Sequence, residues 1–212
     1  MGEHEVGRSV PALRTDRLGR RYGKVWALRV GETSRAGTAQ MLARVGYVAQ
    51  DHPLYGDFSV ADMFHLGQAM NPSWDQELAA ARVDALGIPL NRQTRRLSGG
   101  QQAQVSLTMA LAKGAPLLVL DEPVSSLDPV ARLEFMRDVM ASAADAALTV
   151  LISSHVVSEL ERFCDWLIVL AHGRVQLTGS ADDLLGAHQL LTVPLTAAAL
   201  GATIWLLHRR AA

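Results

Sequence analysis

The stretch LLVLDEP, Leu117–Pro123, constrains the fold of this chain more than any other segment. Four consecutive apolar residues end in the carboxylate pair Asp121 and Glu122, with no alternation of apolar and polar positions. Such a run is typical of a strand that is buried on both faces, as in a parallel sheet covered by helices. Carboxylates that follow such a strand lie at the sheet edge where open α/β sheets bind their ligands.

Strand and helix patterns alternate along the rest of the chain. RVGYVAQ and LTVLISSH are predicted to be further strands, and WLIVLAHGRVQLTG is predicted to form two strands around a His-Gly turn. Helix starts are predicted at four pairs of residues: Ser59 with Asp62, Ser73 with Gln76, Ser98 with Gln101, and Asp128 with Pro129. This alternation predicts an α/β fold with a mostly parallel sheet.

Composition narrows the class of protein further. A chain of 212 residues fits one domain, or one domain with a tail. The net charge of −1 shows no excess of positive charge of the kind that binds nucleic acid. The single cysteine, Cys164, excludes an internal disulfide framework and fits a reducing compartment. The first 21 residues have no apolar core of the kind a secretory signal needs, so a cytoplasmic origin is expected.

Four short motifs carry the chemistry, and each has an ordinary structural reading when it is taken alone. LSGGQQ, Leu97–Gln102, fits a well-capped helix, although its glycines would also let backbone amides approach an anion. The pair Asp121 and Glu122 could be a polar strand exit, and His155 after LISS could be structural. Together with SSLD, Ser125–Asp128, their order and spacing are not plausibly accidental.

These motifs resemble those of the nucleotide-binding subunits of ATP-binding cassette (ABC) transporters. LSGGQQ is similar to the family signature, LLVLDEP to its Walker B strand, SSLD to its D-loop, SSH to its switch histidine and YVAQ to its Q-loop. RRYGKVWAL resembles the opening segment, in which an aromatic side chain, here Tyr22, stacks on adenine. The resemblance implies an ABC-type ATPase domain over residues 1–188, with a helical subdomain over about 51–97.

The resemblance also implies a role for each matching residue, with ATP and Mg²⁺ as cofactors. Asp121 would bind Mg²⁺ through water, and Glu122 would be the general base for the water that attacks the γ-phosphate. His155 would contact that phosphate, and Gln50 would touch the Mg²⁺ and the water. Two further groups would act at a dimer interface. Asp128 would help couple the two sites, and the signature residues would close on the partner's ATP: Ser98, Gly99, Gly100 and Gln101.

The chain departs from this family pattern at the phosphate-binding loop. The loop pattern is G-x-x-x-x-G-K-[ST], but around Gly23-Lys24 the first glycine is replaced by Leu18 and the hydroxyl residue by Val25. The only other lysine, Lys113, has no such glycine pattern before it. Fifteen residues separate Leu28 from Arg44, whereas a βαβ unit alone takes about 30. We therefore predict that the whole phosphate-loop (Walker A) unit is deleted.

Such a deletion would have two consequences. ATP binding by this chain should be severely weakened, because the lysine, the hydroxyl and the backbone amides of the loop are gone. A central strand beside LLVL should also be missing, which would leave unpaired backbone groups in the sheet at a cost of about 1–3 kcal/mol each. Independent ATPase turnover is therefore not expected, and the monomer should be only marginally stable.

The far end of the chain is strongly apolar. QLLTVPLTAAALGATIWLL, Gln189–Leu207, contains no charged residue and is followed by His-Arg-Arg. We predict a hydrophobic C-terminal helix within residues 189–212, which either contacts the membrane through residues 190–207 or packs on the domain or on a dimer partner.

Three functional readings remain open from the sequence. The chain is an ATP-hydrolysing transporter subunit, or a degenerate subunit that lends its signature motif to a partner's ATP, or an inactive truncated product. HGRVQLTG and SSHVVSELERFCD resemble subunits that serve bacterial multidrug and antibiotic exporters. The expected partners are a membrane permease and a second nucleotide-binding subunit, with no nucleic acid. The expected location is the cytoplasmic side of the plasma membrane.

Overall fold

A computed structural model of the chain describes residues 38–145, 148–155, 163–171, 174–187 and 203–208. Tyr22 and the rest of the opening segment lie outside the described residues, as do most of VSELERFCD and most of the C-terminal tail.

Helices and strands alternate over the first two thirds of the described chain, as the sequence predicted. The helices are α1 (Ala39–Ala43), α2 (Val60–Met70), α3 (Gln76–Ala85), α4 (Gly99–Ala112), α5 (Pro129–Asp145) and α6 (Ala181–Ala187), with a 3₁₀ turn at Thr94–Arg96. The strands are β1 (Val45–Val48), β2 (Leu117–Asp121), β3 (Thr149–Ser154), β4 (Trp166–Ala171), β5 (Arg174–Ser180) and β6 (Thr203–His208).

The six strands form one sheet in the order β1-β2-β3-β6-β4-β5. β2 pairs in parallel with both β1 and β3, as predicted. The other three pairings, β3 with β6, β6 with β4 and β4 with β5, are antiparallel. The sheet therefore has a parallel half, β1–β3, and an antiparallel half, β6, β4 and β5.

The sheet corrects two predictions made from the sequence. Thr203–His208 form a strand rather than part of a hydrophobic helix, since both edges of this segment find partners in β3 and β4. The strand beside β2 is not missing either, because β1 and β3 flank it on both sides. Within the described ranges, no helix is both long enough and apolar enough to cross a bilayer.

The parallel strands are buried on both faces, which explains their uninterrupted apolar sequences. On one face, Leu118, Leu120 and Ile152 pack against α4 and α5, where Leu107 and Phe135 are completely or almost completely buried. On the other face, Leu117, Val119 and Leu151 form a smaller cluster that Met41 and Val45 partly cover. The larger cluster fixes α4 and α5 against the sheet and so positions the loops before both helices.

Residues 51–97 have a hydrophobic cluster of their own. Val60 and Phe64 of α2 pack with Ala79 and Val83 of α3, and the cluster continues to Val105 on α4. Gly67 lies directly under the Trp74 ring, where a β-carbon would come within 2.3 Å of the indole. This cluster and the main core share α4, and the helical subdomain expected over about 51–97 stays a prediction.

Local signals placed most helix starts correctly. Ser59 with Asp62 and Ser98 with Gln101 form reciprocal capping boxes, and Asp128 Oδ1 accepts bonds from Val130 and Ala131 amides at 3.0 Å each. The box predicted for Ser73 with Gln76 is wrong, because Asp75 caps α3 by accepting a 2.8 Å bond from Leu78 N–H. Asp75 is held there by its own amide, which donates to Ala112 O at 2.6 Å.

Candidate functional site

The carboxyl ends of the three parallel strands meet at one edge of the sheet. Gln50 follows β1, Asp121 ends β2 with Glu122 directly after it, and His155 follows β3. Because neighbouring parallel strands run in the same direction, the residues that leave them come together at this edge. The predicted residues Gln50, Asp121, Glu122 and His155 therefore form one cluster, here called the carboxylate cluster.

Glu122 is the centre of the carboxylate cluster. Its Oε2 accepts a hydrogen bond of 3.4 Å from Gln50 Nε2 and lies 3.1 Å from His155 Nδ1. Since an ionised carboxylate only accepts hydrogen bonds, the Nδ1 of His155 then carries the proton. The Glu122 side chain keeps 24% of its surface exposed and that of His155 keeps 60%, so both remain reachable by water and by a ligand.

Glu122 also has an unusual backbone conformation. Its φ is 44°, a left-handed value that residues other than glycine rarely adopt. Its carbonyl accepts a 3.1 Å bond from Ser125 N–H, which closes a turn immediately after β2. Non-glycine residues in this region persist only where the surrounding structure holds them, and they are common at functional sites.

Two hydroxyl groups that the sequence analysis did not single out hold the Asp121 carboxylate. Ser153 Oγ donates to Asp121 Oδ1 at 2.8 Å, and Tyr47 Oη donates to Asp121 Oδ2 at 3.3 Å. Ser153 lies opposite Asp121 in the register between β3 and β2. The sequence did contain a signal for Ser153, because a serine is unusual inside a strand as apolar as LTVLISS. Tyr47 lies in the strand before the Q-loop residue Gln50, but the sequence analysis gave it no role.

Two side chains near the carboxylate cluster have shifted pKa values. Burial raises the pKa of Tyr47 above its ordinary 10.0, and the charge and hydrogen bond of Asp121 raise it further, since both disfavour a phenolate. Burial lowers the pKa of His52, against smaller opposing effects of the Pro123 backbone and the Asp51 charge. The rings of His52 and Phe135 have centroids 6.3 Å apart, so His52 contributes to the packing around Phe135.

The signature residues form the N-terminus of α4. Ser98 Oγ accepts from Gln101 N–H at 3.2 Å, and Gln101 Oε1 accepts in return from Ser98 N–H at 3.1 Å. The first regular helix bond is Gln102 N–H to Ser98 O, so the amides of Gly99 and Gly100 precede the hydrogen-bonded part of the helix. A β-carbon at Gly99 would have no heavy atom within 4 Å, which leaves this turn open to an approaching anion.

The first turns of α4 and α5 lie side by side. A β-carbon on Gly100 would come within 3.3 Å of the Ala131 β-carbon, so Gly100 allows the two helices to approach. Asp128 caps α5 one turn before Ala131. The predicted signature and D-loop residues thus share one surface. In the described part of the chain, no hydrogen bond or ion pair joins Ser98–Gln101 to the carboxylate cluster.

The residues of the two sites fit the groups that the family resemblance implies. The described residues hold no group of three or more His, Cys, Asp or Glu side chains able to bind a metal ion by themselves. Mg²⁺ is usually bound by one or two carboxylates together with substrate phosphates, which is what Asp121 beside Glu122 offers. The open first turn of α4 at Gly99 suits a phosphate group. Tyr22, predicted for adenine, lies outside the described residues.

Comparisons with known protein families agree with this arrangement. The family model described as "ABC transporter" matches residues 20–125, half of the chain. An ABC transporter ATP-binding protein of Nostoc sp. is 31% identical over 71% of this chain and 47% of its own length. The molybdenum import ATP-binding protein ModC of Paramagnetospirillum magneticum is 32% identical over 68% of this chain and 40% of its own length. The chain thus spans about half the length of these relatives.

Solved structures show the same fold. The ATP-binding subunit of an ABC transporter superposes with a TM-score of 0.63 at 22% identity, covering 74% of this chain and 67% of that chain. CbiO1 from Clostridium perfringens, part of the ABC transporter complex CbiONQ, gives 0.63 at 24% identity over 81% of this chain and 72% of its own. These likenesses confirm the α/β class predicted from the sequence. The family match over residues 20–125 shows that this chain belongs to the ABC transporter family.

Proposed function

We propose that the chain is an ATP-binding subunit of a transporter and couples nucleotide state at a dimer interface to a membrane permease. One observation carries this proposal: Gln50 and His155 both point a nitrogen at Glu122 Oε2, beside the Asp121 carboxylate at the carboxyl edge of the parallel strands. Phosphoryl transfer depends mainly on positioning and charge stabilisation, and this cluster offers a positioned base beside a metal-binding carboxylate.

Each residue of the carboxylate cluster then has a defined task. Glu122 accepts the proton of the attacking water, and the contacts of Gln50 and His155 hold its Oε2 in place for that transfer. Asp121 supplies the carboxylate for Mg²⁺. The metal, when bound with ATP, neutralises charge that develops on the phosphate oxygens. Because His155 is well exposed, it can also reach the terminal phosphate.

The signature residues serve a second ATP in this proposal. Ser98, Gly99, Gly100 and Gln101 form an open helix start that is not bonded to the carboxylate cluster within the described residues, as expected for a group that acts across a dimer interface. Asp128 lies on the adjoining first turn of α5, and in this proposal it helps to couple the two ATP sites when the interface closes. We propose a second nucleotide-binding chain and a permease as partner subunits. The net charge of −1 gives no support for a nucleic-acid partner.

The missing phosphate-loop pattern favours a second candidate function. No G-x-x-x-x-G-K-[ST] sequence occurs in the 212 residues, whereas the signature box is complete. We infer that this chain turns over little ATP by itself and lends Ser98–Gln101 to ATP held by a partner. An inactive product is the third possibility that the experiment below must separate from these two.

Transport direction and location belong to the same proposal. Several relatives name a cargo, among them ModC and the thiamine import ATP-binding protein ThiQ of Shigella sonnei. Both are import proteins by name, which favours import over the exporter expectation. ThiQ is 31% identical over 75% of this chain and 71% of its own length. We propose a position on the cytoplasmic side of the plasma membrane held by the permease, since β6 occupies part of the apolar segment that was predicted to reach the membrane.

The first experiment measures binding of Mg²⁺-ATP to the purified chain by calorimetry and then ATP hydrolysis. Micromolar binding with turnover that Glu122→Gln abolishes would establish a complete enzyme. Glu134→Gln is the matched control, because it makes the same chemical change at an exposed position of α5 outside the cluster. Absence of binding at millimolar ATP would exclude independent catalysis.

The second arm measures hydrolysis by the complex that co-isolates with the chain from membranes. Gly99→Asp places a negative charge at the open start of α4, so it should repel phosphate. Its β-carbon would meet no neighbouring heavy atom within 4 Å, so we expect the fold to stay intact. If Gly99→Asp stops hydrolysis and Glu122→Gln does not, the chain donates its signature motif to a partner. If neither substitution has an effect, both active functions are wrong and the chain is inactive.

A further inference from the structure

Ser153 is placed to control both acidic residues of the carboxylate cluster. It is the next-to-last residue of the buried strand β3, which ends at Ser154, and none of its surface is exposed. The register of β3 with β2 puts it directly opposite Asp121. A single hydroxyl group at this point can therefore reach the end of β2 from the neighbouring strand.

The hydrogen bonds of Ser153 follow from the one proton that a hydroxyl group can donate. That proton goes to Asp121 Oδ1 at 2.8 Å, because an ionised carboxylate cannot donate. The oxygen of Ser153 then accepts the N–H of Glu122 at 2.9 Å. One buried hydroxyl thus fixes the side chain of Asp121 and the backbone of Glu122 at the same time.

The bond to the Glu122 amide matters because the Glu122 backbone is strained. At a φ of 44°, Glu122 needs surrounding contacts that keep it out of the ordinary extended region. Two hydrogen bonds are such contacts, one on each side of the residue. The Glu122 N–H donates to Ser153 Oγ, and the Glu122 carbonyl accepts from the Ser125 N–H. In this backbone conformation the Glu122 side chain reaches Gln50 and His155.

We propose that Ser153 is a positioning residue for the hydrolytic site: its hydroxyl orients the Asp121 carboxylate and holds the strained Glu122 backbone, so that the metal ligand and the general base keep their relative places. This inference rests on the function proposed above. Ser153 holds Oδ1 of Asp121 at 2.8 Å, and the Oδ2 atom accepts the longer bond of 3.3 Å from Tyr47 Oη. The Asp121 carboxylate, oriented in this way, would be the group that holds Mg²⁺.

The test uses the full chain with Ser153→Ala, which removes the hydroxyl, and Ser153→Thr, which keeps one. Ser106→Ala is the matched control, since Ser106 Oγ is buried without a hydrogen-bond partner in the described structure and lies on α4 away from the cluster. The readout is nuclear magnetic resonance of the Glu122 backbone amide and the Gln50 side-chain amide, which needs no ATPase activity. Ser153→Ala should shift both signals and speed exchange of the Glu122 amide at least tenfold.

Ser153→Thr should restore both signals, and Ser106→Ala should leave them where they are. The wild-type chain offers a measurement that does not depend on any variant folding: its Glu122 amide should exchange at least about tenfold more slowly than in an unstructured peptide. Exchange at the unstructured rate, or unchanged signals in Ser153→Ala, would overturn the inference whether or not the chain binds ATP.

The kinetic readout applies where the chain or its complex uses Glu122 to hydrolyse ATP. Ser153→Ala should then lower kcat about 10²-fold, because small displacements of catalytic groups have effects of that size, and leave KM for ATP within about threefold. Equal losses in kcat for Ser153→Ala and Ser106→Ala would contradict a positioning role. If the wild type does not hydrolyse ATP, only the proposed catalytic function is refuted. The magnetic resonance measurement still decides whether Ser153 holds Glu122 in place, because it needs no hydrolysis.

Discussion

The parallel and antiparallel halves of the sheet differ in what they can bring together. In the parallel half, three strands run the same way, so Gln50, Glu122 and His155 leave them at one edge and meet within 3.4 Å. In the antiparallel half, neighbouring strands leave at opposite edges, so consecutive strand ends cannot collect on one side. The candidate chemistry therefore depends on the parallel half, and the antiparallel half extends the sheet beyond β3.

β6 joins the two halves. Within the described strands, β3 and β4 have no direct pairing with each other, and each pairs with β6 instead. Leu206 lies opposite Ile152 on one side and Leu167 on the other. The comparison therefore predicts that damage to β6 separates the β4–β5 hairpin from a parallel half that stays assembled.

Leu206→Pro should produce the largest effect. Proline removes a backbone donor and is found in sheets almost only at edges, whereas β6 is a central strand. An orphaned ladder group alone costs about 1–3 kcal/mol, and the ring adds steric conflict to that loss. We expect hydrogen exchange of the β4 and β5 amides to lose its protection, while the Glu122 amide in the parallel half keeps its own.

Leu206→Val is the control for this substitution, because it keeps the backbone amide. Native protection of β4 and β5 in the proline variant would mean that the hairpin is held by something other than β6. Equal loss of protection in both halves would show that the sheet opens as one unit, and the distinction between the halves would then fail for stability.

Gly46→Ala tests the packing of the parallel half. A β-carbon at Gly46 would come within 2.8 Å of the Ala110 carbonyl oxygen and 3.2 Å of the Leu118 side chain, so β1 and α4 must move apart. Overpacking of this kind costs about 1–3 kcal/mol, which urea denaturation would measure as a lower midpoint. Gly99→Ala has open space around the new methyl group and should stay within about 0.5 kcal/mol of the wild type. Equal midpoints for both variants would contradict tight packing at Gly46.

The sequence predicted the parallel half well, because its signals are local and repeated. An uninterrupted apolar run such as LLVL indicates a strand covered on both faces, and β2 is buried at every apolar position. Parallel pairing then brings polar residues at strand ends to one edge, so Gln50, Asp121, Glu122 and His155 could be grouped before their geometry was known. Their catalytic roles remain proposals.

The antiparallel half was only partly predictable. β4 and β5 follow from a hairpin pattern, but β6 lies in an apolar segment whose composition suits a helix as well as a strand. Its pairing with β3 spans about fifty residues of chain, and no short pattern encodes such a contact. Ser153 and Tyr47 were missed for a related reason, since their bonds to Asp121 depend on strand register.

The smallest effect is expected from Thr178→Val in the antiparallel half. Thr178 Oγ1 accepts a 2.9 Å bond from the indole N–H of Trp166, across the β4–β5 pair. Valine keeps the branched shape that suits a strand, so the variant should lose only this exposed bond, about 0.5–1 kcal/mol. The Trp166 indole resonance should move, and Thr178→Ser, which keeps the hydroxyl, should leave it in place. If the Gln50 side-chain amide moved as well, the hairpin and the carboxylate cluster would be coupled, and the two halves could no longer be treated as independent.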